Sequence, residues 1–221
     1  MIVAVDGPAG AGKSTVCRLL AAKLGFVYLD SGAMYRAVAW VLKQRHLEPE
    51  DSKEFSSHLA KLPFRFHIEN DALAIFYQDR RLEEELRQPE IAGAASRISQ
   101  IAAVRNHLTS WQRQLAAMGN VVAEGRDTTT VVFPQAQVKV FLTADLATRA
   151  RRRLLEYQQK NIPADYASIE AQIRDRDMAD QQRSLAPLRA APDALVVDTS
   201  SMAIEQVVGR LAAIVQSRST A

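Results

Sequence analysis

Five short apolar runs punctuate the chain: 2–5 (IVAV), 26–29 (FVYL), 121–123 (VVA), 138–142 (VKVFL) and 194–197 (ALVV). They are rich in β-branched residues and mostly lack period-two alternation, the pattern of strands buried on both faces of a parallel sheet. Between them lie helical patterns, roughly 13–24, 33–45, 90–118 with a break, 146–160, 166–183 and 203–217. Strand–helix alternation predicts an α/β sandwich. One stretch departs from it. In 63–84, FRFHIE alternates, NDA signals a turn and LAIFY follows, which predicts an antiparallel hairpin, with a third short strand near 80–83. This hairpin is expected to form a small insert outside the main sheet. The terminal SRSTA is expected to fray.

Composition narrows the class. The chain has 221 residues, 48% of them hydrophobic and 24% charged, enough for one α/β domain with a proper core. A net charge of +3 suits small anionic substrates as well as nucleic acid and does not choose between them. Cys17 is the single cysteine, so no internal disulfide forms and no CxxC metal spacing exists. Four apolar residues after Met1 are too few for a signal peptide, and no run approaches the ~18 of a membrane span. The expectation is a soluble cytoplasmic protein without a membrane partner. No unmatched apolar helix face stands out, which points to a monomer.

Gly7-Pro8-Ala9-Gly10-Ala11-Gly12-Lys13-Ser14, followed by Thr15, fills GxxxxGK[ST] completely. It follows a predicted strand and opens a predicted helix, the context a phosphate-binding loop (P-loop) requires. Its glycines let backbone N–H groups wrap phosphate oxygens, and the helix N-terminus adds partial positive charge. Lys13 reaches the β- and γ-phosphates of ATP, and Ser14 offers a hydroxyl to Mg²⁺. Asp6, ending the first strand, is suited to support the loop or a metal-bound water.

Three further clusters fall at the carboxyl ends of strands or beyond, where open parallel sheets bind ligands. Asp30-Ser31-Gly32-Ala33-Met34-Tyr35-Arg36 begins a helix, with Ser31 a candidate cap. Glu124-Gly125-Arg126-Asp127 ends the third core strand, with Gly125 suggesting close backbone approach; its alternative reading is an ion-paired turn. Arg149, Arg152 and Arg153 share one face of a helix, and Arg176, Asp180 and Arg183 share a face of the next. An arginine-lined helical hairpin over a P-loop works as a lid that supplies charge to a transferring phosphoryl group. The four histidines lie in the candidate helices and the hairpin, away from the strand ends, and no obvious general base is present. An acceptor phosphate, whose second pKa is about 6, needs none, because it is largely the dianion already. Arginines and Mg²⁺ instead relieve its repulsion with ATP.

At this point the chain resembles the bacterial cytidylate kinase family. GPAGAGKST, LDSGAMYRAVAW, AASRIS, VRNHL, GRD-x-x-TVVFP, RARRRLLEYQ, RDRDMADQQRSLAPL and DALVVDTS occur in that family's order over nearly the full chain. The resemblance implies a P-loop fold: a five-stranded parallel sheet flanked by helices, an antiparallel monophosphate-binding insert and a helical lid. It divides the one domain into a core (about 1–60, 100–145 and 184–221), an insert (61–99) and a lid (146–183). It implies transfer of the γ-phosphoryl group of ATP to CMP or dCMP, with Mg²⁺. Ser96, Arg105 and Asp127 are similar to the family's cytosine-recognising residues and Arg176 and Asp180 to its sugar contacts. Tyr35, Arg36, Arg126 and Arg183 match its acceptor-phosphate contacts, with Ser31 nearby. The candidate catalytic cations are Lys13, Arg126, Arg152 and Arg183. Cytosine offers an N4 donor to an aspartate, whereas uracil presents an acceptor there. In one place the chain departs from the family, which follows GRD with an aliphatic residue and glycine. Here Thr128 and Thr129 stand there. If that glycine requires φ > 0, Thr129 is strained and base selectivity is in question. The alternatives are another small P-loop kinase, for UMP, dTMP or a metabolite alcohol, and a nucleic-acid-binding protein. The latter is disfavoured because stacking aromatics are lacking beside Arg149–Arg153. A regulatory GTPase is disfavoured because no NKxD-type guanine motif occurs.

Overall fold

The computed structural model describes residues 1–219. Five strands form the parallel centre of a single sheet: β1 (Ile2–Asp6), β2 (Val27–Asp30), β6 (Val121–Glu124), β7 (Val138–Thr143) and β8 (Leu195–Asp198), in the order β2-β6-β1-β7-β8. Their residues alternate between two apolar layers, which is why the sequence shows continuous apolar runs. Val3, Val5, Val122 and Val140 face one cluster, which includes Val16, Leu20, Leu211 and Val215 of α1 (Lys13–Leu24) and α8 (Ile204–Ser219). Ala4, Leu29, Val121 and Ala123 face the other. That layer is built by α2 (Ser31–Gln44), α3 (Lys53–Ala60), α4 (Pro89–Ile98) and α5 (Ala102–Ala116). The last pair of helices, α6 (Leu146–Gln159) and α7 (Tyr166–Gln182), packs together through Ala150, Ile169 and Ile173. Among the described residues no helix is long and apolar enough to cross a membrane.

The hairpin forms as expected, β3 (Phe64–Glu69) against β4 (Ala72–Tyr77), with the two-residue β5 (Arg80–Arg81) on β4. Its placement corrects the expectation. It is not separate from the main sheet: β4 pairs with β2 in parallel at Tyr28 and Ala72, and the Tyr28 N–H donates to the Asp71 carbonyl at 2.8 Å. The apolar side of the hairpin, Phe64, Phe66, Ile75 and Tyr77, continues the layer under α2 and α5, so burial draws it onto the sheet edge. Helix α3 was not expected. Its signals are the Ser52 hydroxyl accepting from the Phe55 N–H (3.0 Å) and the buried Phe55 and Leu59, one turn apart. The predicted 90–118 helix breaks between Ile98 and Ala102. Ser217–Ser219, expected to fray, continue α8; the rest of SRSTA, Thr220 and Ala221, lies outside the described residues.

The parallel strands deliver polar side chains to one edge. Asp6, Asp30, Glu124 and Asp198 each end a strand, with Asp30 opposite Glu124 in register. Asp6 leads directly into the P-loop, and Arg36 of α2 pairs with Asp30.

Candidate functional site

The donor side is the loop between β1 and α1. Gly10 and Gly12 hold φ of 76° and 85°, which a side chain would strain. Gly10 is also where α6 presses on the loop: a Cβ there would lie 3.1 Å from the Arg149 Cβ. Lys13 is buried, and its Nζ donates to the Gly7 carbonyl (2.8 Å) and the Pro8 carbonyl (2.7 Å). Burial, reinforced by the charge of Arg126, pulls its amine from 10.5 to about 7. Ser14 and Thr15 stand in the first turn of α1, with Ser14 near Glu124. Glu124 is buried, which raises its carboxyl above the usual range, and the Tyr28 hydroxyl donates to it.

The arginines of α6 divide their work. Arg149 is buried and donates to the Ala144 carbonyl (2.9 Å) and the Ala9 carbonyl (3.1 Å), and it pairs with Asp177 of α7. Asp177 in turn accepts from the Ala9 N–H at 3.3 Å. Arg152 lies beside Gly12 and donates to the Thr199 hydroxyl (3.0 Å) and carbonyl (2.6 Å). Arg153 sits over the Tyr157 ring at 4.8 Å and bonds Glu156.

The candidate acceptor side is assembled from four distant segments. Asp127, buried after β6, pairs with Arg105 of α5, and the Arg183 guanidinium lies 3.6 Å from its other oxygen. Burial raises its carboxyl, and the two arginines act against that shift. Arg105 also donates to the Ser99 carbonyl (3.0 Å), and its guanidinium lies 6.0 Å from the centre of the Tyr35 ring. Burial pushes the Tyr35 hydroxyl up to about 12. Ser96 stands one link away: its carbonyl accepts from the Ser99 hydroxyl at 2.7 Å. Arg126 turns away from Asp127 and donates to Asp180 of α7 (2.8 Å), so the two neighbours do not form the ion-paired turn considered above. Arg36 pairs with Asp30 at 2.8 Å.

Arg176 is the least compensated cation of the group. Burial, then the neighbouring charges of Arg126, Arg36 and Arg153, lower its guanidinium to about 10 against the opposing pull of Asp180. Its Nε is buried with no hydrogen-bond partner, whereas the buried terminal nitrogen of Arg183, also outside hydrogen-bond reach of an acceptor, faces Asp127 as an ion pair at 3.6 Å. Unsatisfied buried donors in an excess of positive charge are what an anion would complete.

Local expectations need two amendments. Ser31 does not cap α2; Asp30 does, accepting from the Ala33 N–H at 2.8 Å, while the Ser31 hydroxyl donates to the Glu124 carbonyl at 2.6 Å. Thr129 is not at positive φ, so the strain anticipated there is absent. Residues 128–132 wind into a single π-turn instead. Gly125 does mark close approach, since a Cβ would lie 2.7 Å from both the Ser31 hydroxyl and the Thr128 methyl. Ser99, Asp177 and Thr199 were not singled out from sequence. Of these, Asp177 alone gave a signal, one turn before its companion Asp180 on the arginine-rich helix.

The cytidylate kinase family model matches residues 3–217. A cytidylate kinase of Carboxydothermus hydrogenoformans is 43% identical over 215 residues, covering 97% of each chain. One from Shouchella clausii is 42% identical over 217 residues, with 98% of this chain and 96% of that one covered. A bifunctional pantoate ligase/cytidylate kinase of Synechococcus elongatus is 42% identical over 222 residues, covering 98% of this chain but 42% of the longer protein. Among solved structures, an uncharacterised protein from Eubacterium ventriosum superposes with a TM-score of 0.53 at 11% identity over 98% of each chain, which speaks for the fold alone. Near-complete matches in both directions, on a chain with a full P-loop and an arginine-rich acceptor side, leave one assignment: the chain belongs to the cytidylate kinase family.

Proposed function

We propose that this protein transfers the γ-phosphoryl group of ATP to CMP or dCMP, giving ADP and CDP or dCDP. The observation that carries the reading is the excess of buried cationic donors around Arg176 beside the arginine-paired carboxylate of Asp127. The first suits a phosphate dianion. The second suits a base edge that offers an amino donor next to acceptors, as cytosine does.

In this reading the P-loop amides and Lys13 hold the triphosphate. Lys13 leaves the Gly7 and Pro8 carbonyls and takes up a proton as the phosphates bring negative charge to it. Arg36, Arg126, Arg176 and Arg183 hold the acceptor phosphate and sugar, with Asp180 orienting Arg126. An acceptor oxygen forms the new bond to the γ-phosphorus while the bond to the β–γ bridging oxygen breaks, and ADP leaves with that oxygen. No general base is needed. Closure of the α6–α7 hairpin excludes water and brings Arg152 and Arg183 to the transferring group.

Mg²⁺ fits this site as a companion of ATP. Ser14 and Glu124 supply hard oxygen donors at the P-loop, and among the described residues no cluster of three or more carboxylate, histidine or cysteine ligands would hold a metal unaided. That is the balance expected for an ion bound mostly through substrate phosphates. When bound it neutralises charge on the phosphates.

An ADP-release assay across the common nucleoside monophosphates tests the proposal. CMP and dCMP should turn over fastest. Failure of both while another acceptor is used well would overturn it.

A further inference from the structure

Asp6 lies at the junction of β1 and the P-loop and is completely buried. Its carboxylate is filled by one short segment. Oδ1 accepts from the Thr128 N–H (2.8 Å) and hydroxyl (2.6 Å), and Oδ2 accepts from the Thr129 N–H (2.7 Å) and hydroxyl (2.6 Å). A carboxylate has about four lone-pair sites, so these four bonds use its capacity. Asp6 therefore serves the loop after β6, and holding a metal-bound water would require it to release a threonine. Just before that loop segment, the Gly125 N–H donates to the Val5 carbonyl at 3.0 Å. The chain is thus pinned to the end of β1 at residue 125 and again at 128–129. Arg126 and Asp127, the two site side chains between, project from a two-residue arch clamped at both feet. The far foot is stiffened further by the π-turn, in which the Phe133 N–H donates to the Thr128 carbonyl at 2.8 Å. Thr128 and Thr129 are 0% and 1% exposed, so their hydroxyls have no solvent to exchange with.

We infer that Thr128 and Thr129, through Asp6, are positioning residues that set acceptor-base discrimination. The inference rests on the proposed role of Asp127. A single-file arch transmits rotation: if one hydroxyl is lost, Asp6 keeps an unfilled lone pair and the far foot is free to turn. Asp127 then swings relative to Arg105 and Arg183, and Arg126 relative to Asp180. Such supporting bonds hold site groups within about half an ångström of their productive geometry, and base discrimination depends on that placement. Asp6 directly precedes Gly7, but its carboxylate bonds Thr128 and Thr129 and no P-loop amide, so the clamp acts on the acceptor side.

The test is Thr129→Val, which keeps the side-chain shape and removes the hydroxyl, with Thr129→Ser as the conservative partner. Steady-state constants are measured for CMP, UMP and ATP. Thr129→Val should raise KM for CMP and lower the CMP-to-UMP ratio of kcat/KM by about tenfold, the scale of one lost buried hydrogen bond to a charged group. KM for ATP should stay within about twofold, because the phosphate-binding amides are untouched. Thr129→Ser should recover most of the ratio. If CMP and UMP decline by the same factor, or serine fails to restore the ratio, the clamp only supports the fold and the inference is overturned. Should Thr129→Val fail to fold, Thr128→Val removes the other hydroxyl and is judged by the same ratio. A wild type that prefers another monophosphate would refute the assigned function instead, and the clamp would still be judged by the variant's ratio of preferred to next-best acceptor.

Discussion

The two halves of the site differ in how complete they are by themselves. On the donor side the polar groups are already partnered: Lys13 is bonded to two carbonyls of the loop, and Ala9 is bonded through its amide and its carbonyl by Asp177 of α7 and Arg149 of α6. On the acceptor side the Arg176 Nε is buried without an acceptor, and the buried Arg183 nitrogen has only Asp127 at 3.6 Å. A nucleotide entering the first half must displace the bonds of Lys13, whereas an acceptor phosphate entering the second meets the partnerless Arg176 Nε beside Arg36 and Arg126, which are already paired with Asp30 and Asp180. The phosphate-binding loop of the first half is one contiguous segment, braced by α6 and α7, whereas the second half is drawn from α2, α5, the 125–127 loop and α7, so they also answer differently to single substitutions.

The largest break should come from Lys13→Ala. In the proposed mechanism its charge acts on the phosphates where charge moves during transfer, so kcat should fall by about a hundredfold or more while KM for CMP changes little. A near-normal kcat in steady-state assays would remove Lys13 from that role. Next is Asp127→Asn. The amide presents a donor or an acceptor at the base edge, and a lost charged hydrogen bond is worth about 1.5–3 kcal/mol. The expected result is a drop of roughly ten- to a hundredfold in kcat/KM for CMP, with a fall in preference over UMP and little change for ATP. An equal loss for both acceptors would assign Asp127 to the packing of Arg105 and Arg183 alone. Arg176→Gln should raise KM for CMP by about tenfold and leave KM for ATP near its original value. A mainly ATP-side defect would move Arg176 into the donor half.

The smallest effect sharpens the contrast through protons. In the free protein the Lys13 amine titrates near 7, so at about pH 8 it is mostly neutral. Triphosphate stabilises the ammonium and raises that value, so ATP binding at about pH 8 should take up a fraction of a proton. At about pH 6 the amine is already charged and the uptake should disappear. Calorimetry in two buffers of different ionisation enthalpy measures it, and Lys13→Met should abolish it. An uptake that persists in that variant would belong to another group.

How far the sequence foretold this follows the same division. The P-loop was legible because its chemistry is contiguous and its strand–helix context was readable from the apolar runs. The five parallel strands were legible for the same reason. The acceptor side was visible only as scattered arginines and, by resemblance, as matched positions; no pattern in the chain announces that Arg105 turns to Asp127 while Arg126 turns to Asp180. The Thr128–Thr129 pair was read as a threat of strain, because the role of a side chain in filling Asp6 cannot be seen from its neighbours in sequence. The hairpin's attachment was hidden for another reason. A single bridge at Tyr28 leaves no compositional trace, and the burial that fixes it depends on α2 and α5 arriving from elsewhere.

That attachment sets the unit in which this enzyme could be recombined. Cutting out 63–84, or replacing them with a relative's hairpin alone, would strip Phe64, Phe66, Ile75, Tyr77 and Leu82 from a cluster that reaches Ala4 and Leu29 in the central strands. A chimera exchanged at those boundaries would inherit an apolar sheet edge with the wrong cover. The graft that respects the seams runs from α2 to the end of α5, and it carries Tyr35, Arg36, Ser96 and Arg105 with it. Those four residues and their scaffold would then travel together, leaving the P-loop, the 125–129 arch and the acceptor-side residues of α7 behind in the host.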